Sequence, residues 1–283
     1  MTTVRAPGSS ANIGPGFDVL GFALSRYVWV SDQPGGDQCH SDHIARIAYE
    51  RAGGSEPIWF GFDLEPGRGM GFSAAARAAG ATLAYLQAGL ALEESQRRAY
   101  EVVTELEGHG DNAAPAVFGG LHVVVDNQNQ RLAANIPGEV LCWVPEWSTA
   151  TDKSRIQLAS TIDRADAIFN LGRVGLLIAA CYEQRLDWLG QATQDRLHQP
   201  PRLAQAPQLS QVIERALAAG ADAAWLSGSG PTIAIVATAE RRDAIAAALP
   251  ADGKTLHLEV DQTGAVPVSE GATETQSAEA LAD

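Results

Sequence analysis

The spacing of apolar residues changes repeatedly along the chain, and each change predicts an element. RAPGSSANIGPGFDVLGFAL (5–24) starts extended and becomes a glycine-rich loop. Its apolar run, Val19 to Leu24, leads into RYVWV, where the aromatic and β-branched residues from Tyr27 to Val30 predict a strand. SDQPGGDQ is a turn. HSDHIARIAYERAGG sets Ile44, Ile47 and Ala48 on one helical face, with Gly53 or Gly54 as the stop. PIWFGFDL reads as another strand. After the loop PGRGMG, the alanine-rich, proline-free run from Ser73 to Gln87 predicts a helix whose small face allows close packing. EESQRRAYEVVTELEG predicts a second, amphipathic helix with Ala99, Val102, Val103 and Leu106 on one side. GHGDNAAPAVFGG reads as an irregular connection, and LHVVVD and the segment around VLCWV as strands.

PEWSTAT suggests a boundary near residues 145 to 152, beyond which the pattern alters. DRADAIFNLGRVGLLIAACYEQR is helical, and LDWLGQATQDRLHQPPR is a shorter helix ended by Pro200 and Pro201. LSQVIERALAAG is a helix with a glycine stop. DAAWLSGSGPTIAIVAT predicts strand, tight loop and strand, ERRDAIAAAL a helix, and TLHLEV a last strand. There is no internal repeat. Strands and helices alternate with an antiparallel flavour, which predicts an α+β fold in two parts. The expected division is 1–147, 148–266 and a polar, disordered tail over 267–283.

Composition narrows the function classes. The 283 residues carry a formal net charge of −14, with 46% hydrophobic content sufficient for a substantial core. That charge argues against nucleic acid and against anionic membrane surfaces as partners. It leaves an anionic substrate open, because a few local arginines can reverse the field inside a cleft. The three cysteines, Cys39, Cys142 and Cys181, form no CxxC and no disulfide framework, which fits reduced thiols in the cytoplasm. MTTVRAPGSS has no apolar core of a signal peptide, and no uninterrupted apolar run reaches the ~18 residues of a membrane span.

The stretch PGRGMGFSAAARAAG (66–80) carries the sharpest chemistry. Gly67, Gly69 and Gly71 free backbone N–H groups to face an anion, and the helix that starts at once adds its own N–H groups and dipole. Ser73 can cap that helix or ligate a phosphate-bound metal. The loop has no lysine and is not a Walker A motif. Taken alone, it is equally a turn that opens an alanine helix.

Three further stretches decide between those readings. APGSSANIGPGFDVLG (6–21), GRGMGFSAA (67–75), EGHGDNAAPAVFGG (107–120) and SGSGPT (227–232) occur in an order that resembles the GHMP family of small-molecule kinases. TDKSR (151–155), NLGR (170–173) and DRLHQPPR (195–202) resemble stretches that mark the homoserine kinases among them. The resemblance reaches about residue 266. It implies an N-terminal domain like the second domain of ribosomal protein S5, a ferredoxin-like C-terminal domain, and a site at their junction. It implies ATP as cofactor with Mg²⁺, and L-homoserine as the small-molecule substrate, phosphorylated on the way to threonine. A homodimer is suggested by the resemblance only.

The resemblance also assigns residues. Gly67, Arg68, Gly69, Met70, Gly71, Phe72, Ser73, Ala74 and Ala75 would hold the nucleotide, and Ser73 and Glu107 the metal. Glu101, earlier on the same helix, competes with Glu107 for that role. Arg155 and Arg202 suit bidentate capture of the substrate carboxylate. Asn12 and Asp18 would hold the amino group and the hydroxyl side, although both suit Asx turns in their loop. His109, Asp111 and Asn112 would line the hydroxyl, with Asn112 orienting it and Asp111 as a candidate base. Arg202 is counted with the catalytic groups. His198 and Asp195 are read as partners of Arg202 rather than catalysts. Two departures stand out: Phe72 replaces the first serine of the usual GLGSS, and the segment from Val30 to Trp59 is short. They keep open a kinase of another small alcohol, or a relative that binds nucleotide or amino acid without turnover.

Overall fold

The computed structural model describes residues 1–64, 66–147 and 158–268. Its first part runs β1 (Thr3–Ala11), β2 (Leu20–Ser31), β3 (Asp37–Gln38), α1 (Ile44–Arg51), β4 (Trp59–Phe62), α2 (Phe72–Gln87), α3 (Leu92–Glu107), α4 (Ala113–Phe118), β5 (Leu121–Val125) and β6 (Gln128–Arg131). There follow β7 (Glu139–Pro145), α5 (Arg164–Glu183), α6 (Leu186–Ala192), α7 (Gln199–Gln205), α8 (Pro207–Ala218), β8 (Ala223–Leu226), β9 (Ile233–Ala237), α9 (Arg242–Ala248), β10 (Gly253–Leu258) and β11 (Val266–Val268).

Two antiparallel sheets organise these elements. In the first the order is β11-β1-β2-β4-β3, with β5 on the far end of β2 and β6 on β5. β2 is long enough to pair β4 through Val28–Ser31 and β5 through Leu20–Phe22. The apolar run and the RYVWV segment are one strand, bent where the register against β1 shifts between Pro7 and Gly8. A bulge there suits a proline that cannot donate to the ladder. The second sheet runs β10-β7-β9-β8. β7 therefore belongs to the second sheet and β11 returns to the first, so the sheets divide before β7 and not after residue 147. Residues 267 and 268, expected in the tail, pair with β1; residues 269–283 lie outside the described residues.

α2 packs beneath the first sheet. Ala74 to Ala76, Ala78, Ala79 and Ala81 are all buried, since a face of methyl groups lets β1, α1 and α3 close in on every side. α1 buries Ala45, Ala48 and Tyr49 and packs Ile44 against the core, while Ile47 is exposed, so of the expected face only Ile47 points outward. The GHGDNAAPAVFGG connection contains a helix, α4, and Pro200 and Pro201 open α7 instead of ending the helix before them. Proline is tolerated there because the first helical N–H groups have no partner within the helix. The short strands β3, β6 and β11 left no readable alternation. Among the described residues, α5 is the one helix long and apolar enough to cross a membrane by length and composition. Its Arg173 lies 3.7 Å from the centre of the Phe169 ring, and Arg196 lies 3.9 Å from the same ring.

A common core joins the sheets. Phe22 of β2 meets Trp225 of β8 edge-on at 6.3 Å, and Ser227 Oγ hydrogen-bonds Ser10 Oγ at 2.9 Å. The loops above this seam surround a cavity.

Candidate active site

A cavity of about 1060 Å³ lies where the β1–β2 loop, the glycine loop, the α3–α4 connection, α7 and the β8–β9 loop meet. The glycine loop lines it, held by two backbone N–H groups and one serine hydroxyl. Ser9 N–H donates to Met70 O at 2.9 Å, Thr232 N–H to Arg68 O at 3.2 Å, and Ser227 Oγ to Gly69 O at 2.8 Å. Gly69 (φ +75°) and Gly71 (φ +71°) are left-handed. A Cβ on Gly69 would stand 2.5 Å from Ser227 O, and one on Gly71 2.1 Å from Ser9 Oγ. Only glycine fits, and Gly71 is also the N-cap of α2, so the loop leads straight into a helix N-terminus that faces the cavity.

Of the residues expected at the nucleotide, Gly67, Arg68, Gly69, Gly71, Phe72, Ser73 and Ala74 line the cavity. Met70 and Ala75 do not: both side chains are buried in the core, where an apolar thioether and a methyl group belong. Arg68 donates to Glu146 O at 2.7 Å. Phe72 turns toward β4 and packs edge-on against Phe60 and Phe62, with His43 4.6 Å from Phe60, so an aromatic wall stands beside the loop.

Glu107 and Glu101 part company. Glu101 is exposed and paired with Arg97 at 2.6 Å, whereas Glu107 faces the cavity and accepts from Ser73 Oγ at 2.6 Å. A hydroxyl and a carboxylate at the mouth of a phosphate loop are the hard oxygen donors that Mg²⁺ takes, with water and phosphate oxygens completing its shell. The donor chemistry fits. A third group went unnoticed in the sequence: Arg77, one turn beyond Ser73, donates through Nη1 to both Ser73 Oγ and Glu107 Oε1. An arginine four residues after the loop serine, in an alanine helix, was its readable signal.

The same cavity gathers the expected substrate groups. Asn12 and Asp18 both have positive φ, and Asn12 Oδ1 accepts from the Asp18 N–H at 2.8 Å. This bond spans six residues and so is a loop-closing contact, not an Asx turn, and both residues line the cavity. Burial raises the Asp18 carboxyl above its ordinary value, and the nearby Asp111 adds to this. His109 Nδ1 lies 2.6 Å from Asp111 Oδ1, a hydrogen bond that raises the imidazole pKa against the opposing effect of burial. Asp111 Oδ2 is buried without a partner. Asn112 Oδ1 accepts from Ser9 Oγ at 2.8 Å, a contact across 103 residues with no local sequence signal.

Arg202 reaches the cavity from α7. His198, fully buried, donates from Nε2 to Gly14 O at 2.7 Å and accepts at Nδ1 from Arg202 Nη1 at 2.9 Å. Burial lowers the His198 pKa, in keeping with this neutral tautomer. Phe17 stacks on His198 at 5.3 Å and lies 5.2 Å from the Arg202 guanidinium. Asp195 accepts from the N–H groups of Leu197, His198 and Gln199 and from Asn170 Nδ2. Burial alone would raise its carboxyl; the hydrogen bonds from these N–H groups and from Asn170 hold it below the ordinary value. Asp195 thus fixes the start of α7, and His198 fixes Arg202. Arg155 lies outside the described residues.

Comparison with known proteins agrees with this geometry. The chain matches the GHMP kinase N-terminal domain over residues 42–120 and the GHMP kinase C-terminal domain over residues 177–255. It is 35% identical to the homoserine kinase of Desulfitobacterium hafniense, over 95% of this chain and 100% of that protein. It is 36% identical to the homoserine kinase of Thermus thermophilus, over 93% of this chain and 97% of that one. The crystal structure of homoserine kinase from Cytophaga hutchinsonii superposes with a TM-score of 0.80 at 26% identity, covering 94% of this chain and 97% of that one. With the glycine loop, the paired Ser73 and Glu107 and the His198-held Arg202 around one cavity, this chain belongs to the homoserine kinase family of the GHMP kinases.

Proposed function

We propose that this protein transfers the terminal phosphoryl group of ATP to the hydroxyl of L-homoserine, forming O-phospho-L-homoserine for threonine biosynthesis, as a cytoplasmic enzyme. The observation that carries the reading is convergence. An anion-binding loop and a set of groups matched to a zwitterionic amino alcohol line one cavity.

Phosphoryl transfer needs positioning and charge stabilisation more than covalent chemistry from the protein. The N–H groups around Gly69 to Ser73 hold the triphosphate at the start of α2. Ser73 and Glu107 would hold Mg²⁺, which would supply neutralisation of the phosphate oxygens. Arg202, with Arg155 of the TDKSR stretch, takes the substrate carboxylate. Asn12 and Asp18 take the ammonium group. Asn112, braced by Ser9, orients the hydroxyl, and its oxygen attacks the terminal phosphorus while the bond to the ADP oxygen breaks. Asp111 Oδ2, close by and unpartnered, is the candidate acceptor of the hydroxyl proton. The homodimer implied by the family resemblance goes with this reading and is checked by light scattering.

A coupled assay of ADP release with Mg-ATP and L-homoserine tests the reading, with serine, threonine and mevalonate alongside and Ser73→Ala as control. Homoserine-dependent release that the control loses is expected. Release with another alcohol alone would move the substrate, and no release from folded protein would leave only a binding role.

A further inference from the structure

Arg77 is the only charged residue in the sixteen of α2, and it has no place in the chemistry derived above. Its side chain and that of Glu107 are 18% and 11% exposed, yet both residues line the cavity. Nη1 bonds Ser73 Oγ and Glu107 Oε1 together, and Nε–H is buried with no partner. The guanidinium therefore stands against the very oxygens that suit a metal ion. Glu107 is the last residue of α3, where the negative end of the helix disfavours an anion, so it needs a cation from elsewhere. The loop beneath carries no lysine, and its one cation, Arg68, donates to Glu146 O and has no hydrogen bond or ion pair to Glu107.

A purely structural role is a weak account of this pair. Ion pairs withdrawn from water lose in desolvation much of what they gain in attraction. A pair needed only to join α2 to α3 has no reason to sit at the mouth of an anion-binding loop. A guanidinium, by contrast, is shaped to grip phosphate oxygens with several N–H groups at once.

We propose that Arg77 is a phosphate-contacting residue of this kinase. Its guanidinium is a resident cation that competes with a divalent metal ion for Glu107. Released from Glu107, it pairs with the nucleotide phosphates, so part of the charge neutralisation is built into the chain. The proposal rests on the reading that the glycine loop holds nucleotide.

The test is the affinity for ATP by calorimetry, in excess EDTA and in excess magnesium, for the native chain, Arg77→Met, Arg77→Lys and Glu107→Gln, each checked by thermal melting. A charge-assisted contact to phosphate corresponds to about tenfold or more in affinity. Arg77→Met should therefore weaken binding in EDTA by about that factor while binding in magnesium changes by less than about threefold. Arg77→Lys should recover part of the loss. Glu107→Gln frees the guanidinium and should tighten binding in EDTA, the opposite sign. This variant keeps the proposal testable if Arg77→Met does not fold. Equal losses for Arg77→Met in both buffers, no loss in EDTA, or a Glu107→Gln shift in the same direction would overturn it. If the native chain binds no ATP even with magnesium, the nucleotide reading itself falls, and this inference falls with it.

Discussion

Single residues in this site are constrained by backbone geometry as much as by chemistry. Gly71 combines a left-handed φ with a neighbouring hydroxyl where a methyl group would go. Gly71→Ala should destabilise the fold by roughly 1–3 kcal/mol and lower nucleotide affinity, measured by denaturant unfolding and by ATP titration. A native-like midpoint with unchanged affinity would remove the loop from the site. His109 offers a spectroscopic handle. Its hydrogen bond to Asp111 holds its pKa above the ordinary 6.5 despite burial. A raised folded pKa stabilises the protonated fold, so the contribution is full below 6.5 and is lost as pH rises through the folded value. Imidazole NMR titration should show a pKa above 6.5 that falls in Asp111→Asn, and that variant should lose more thermal stability at acid than at alkaline pH. An unmoved titration would separate the two residues.

At the scale of elements, α7 acts as a bracket for one side chain. Its two prolines preset the first turn, Asp195 gathers three backbone N–H groups at its start, and His198 clamps Arg202 while tied to Gly14 in the opposite part of the chain. His198 is therefore a positioning residue. His198→Ala should raise KM for homoserine by about tenfold or more, with a smaller change in kcat and in KM for ATP, as expected when binding rather than the transition state loses an interaction. Equal losses in kcat and in both KM values would point to general disruption. The aromatic wall has a comparable logic: with no hydroxyl to offer phosphate, Phe72 lines the cavity while its ring packs against Phe60 and Phe62.

On the scale of the molecule, the cavity exists because the two sheets share a core. Trp225 is fully buried at that seam, with its N–H 3.4 Å from Ser10 Oγ and its ring against Phe22. Trp225→Ala should cost about 3–5 kcal/mol and reduce activity, and the native chain should unfold in one transition. Two separate transitions in calorimetry would mean that the sheets fold independently and that the site is held by its loops alone.

Much of this was legible in the order of residues, for physical reasons that are local. Alanine-rich α2, amphipathic α3 and the strands around Trp29, Trp143 and Ile235 follow from periodicity and propensity, which act over a few residues. The glycine loop, GHGDN and DRLHQPPR are contiguous motifs, so Gly69, Gly71, Asn112 and Arg202 could be named in advance. Tertiary structure decided what depends on distant partners. It turned Glu107 inward and left Glu101 in water, because only one face of α3 meets α2. It buried Met70 and Ala75 and set Ser9 under Asn112. It paired β7 with β9 and brought β11 back to β1, pairings for which short segments carry no register signal. Above all it placed Arg77 between Ser73 and Glu107. A lone arginine on an alanine helix has no meaning in one dimension, because its partner lies thirty residues away and only the packing of two helices brings them together.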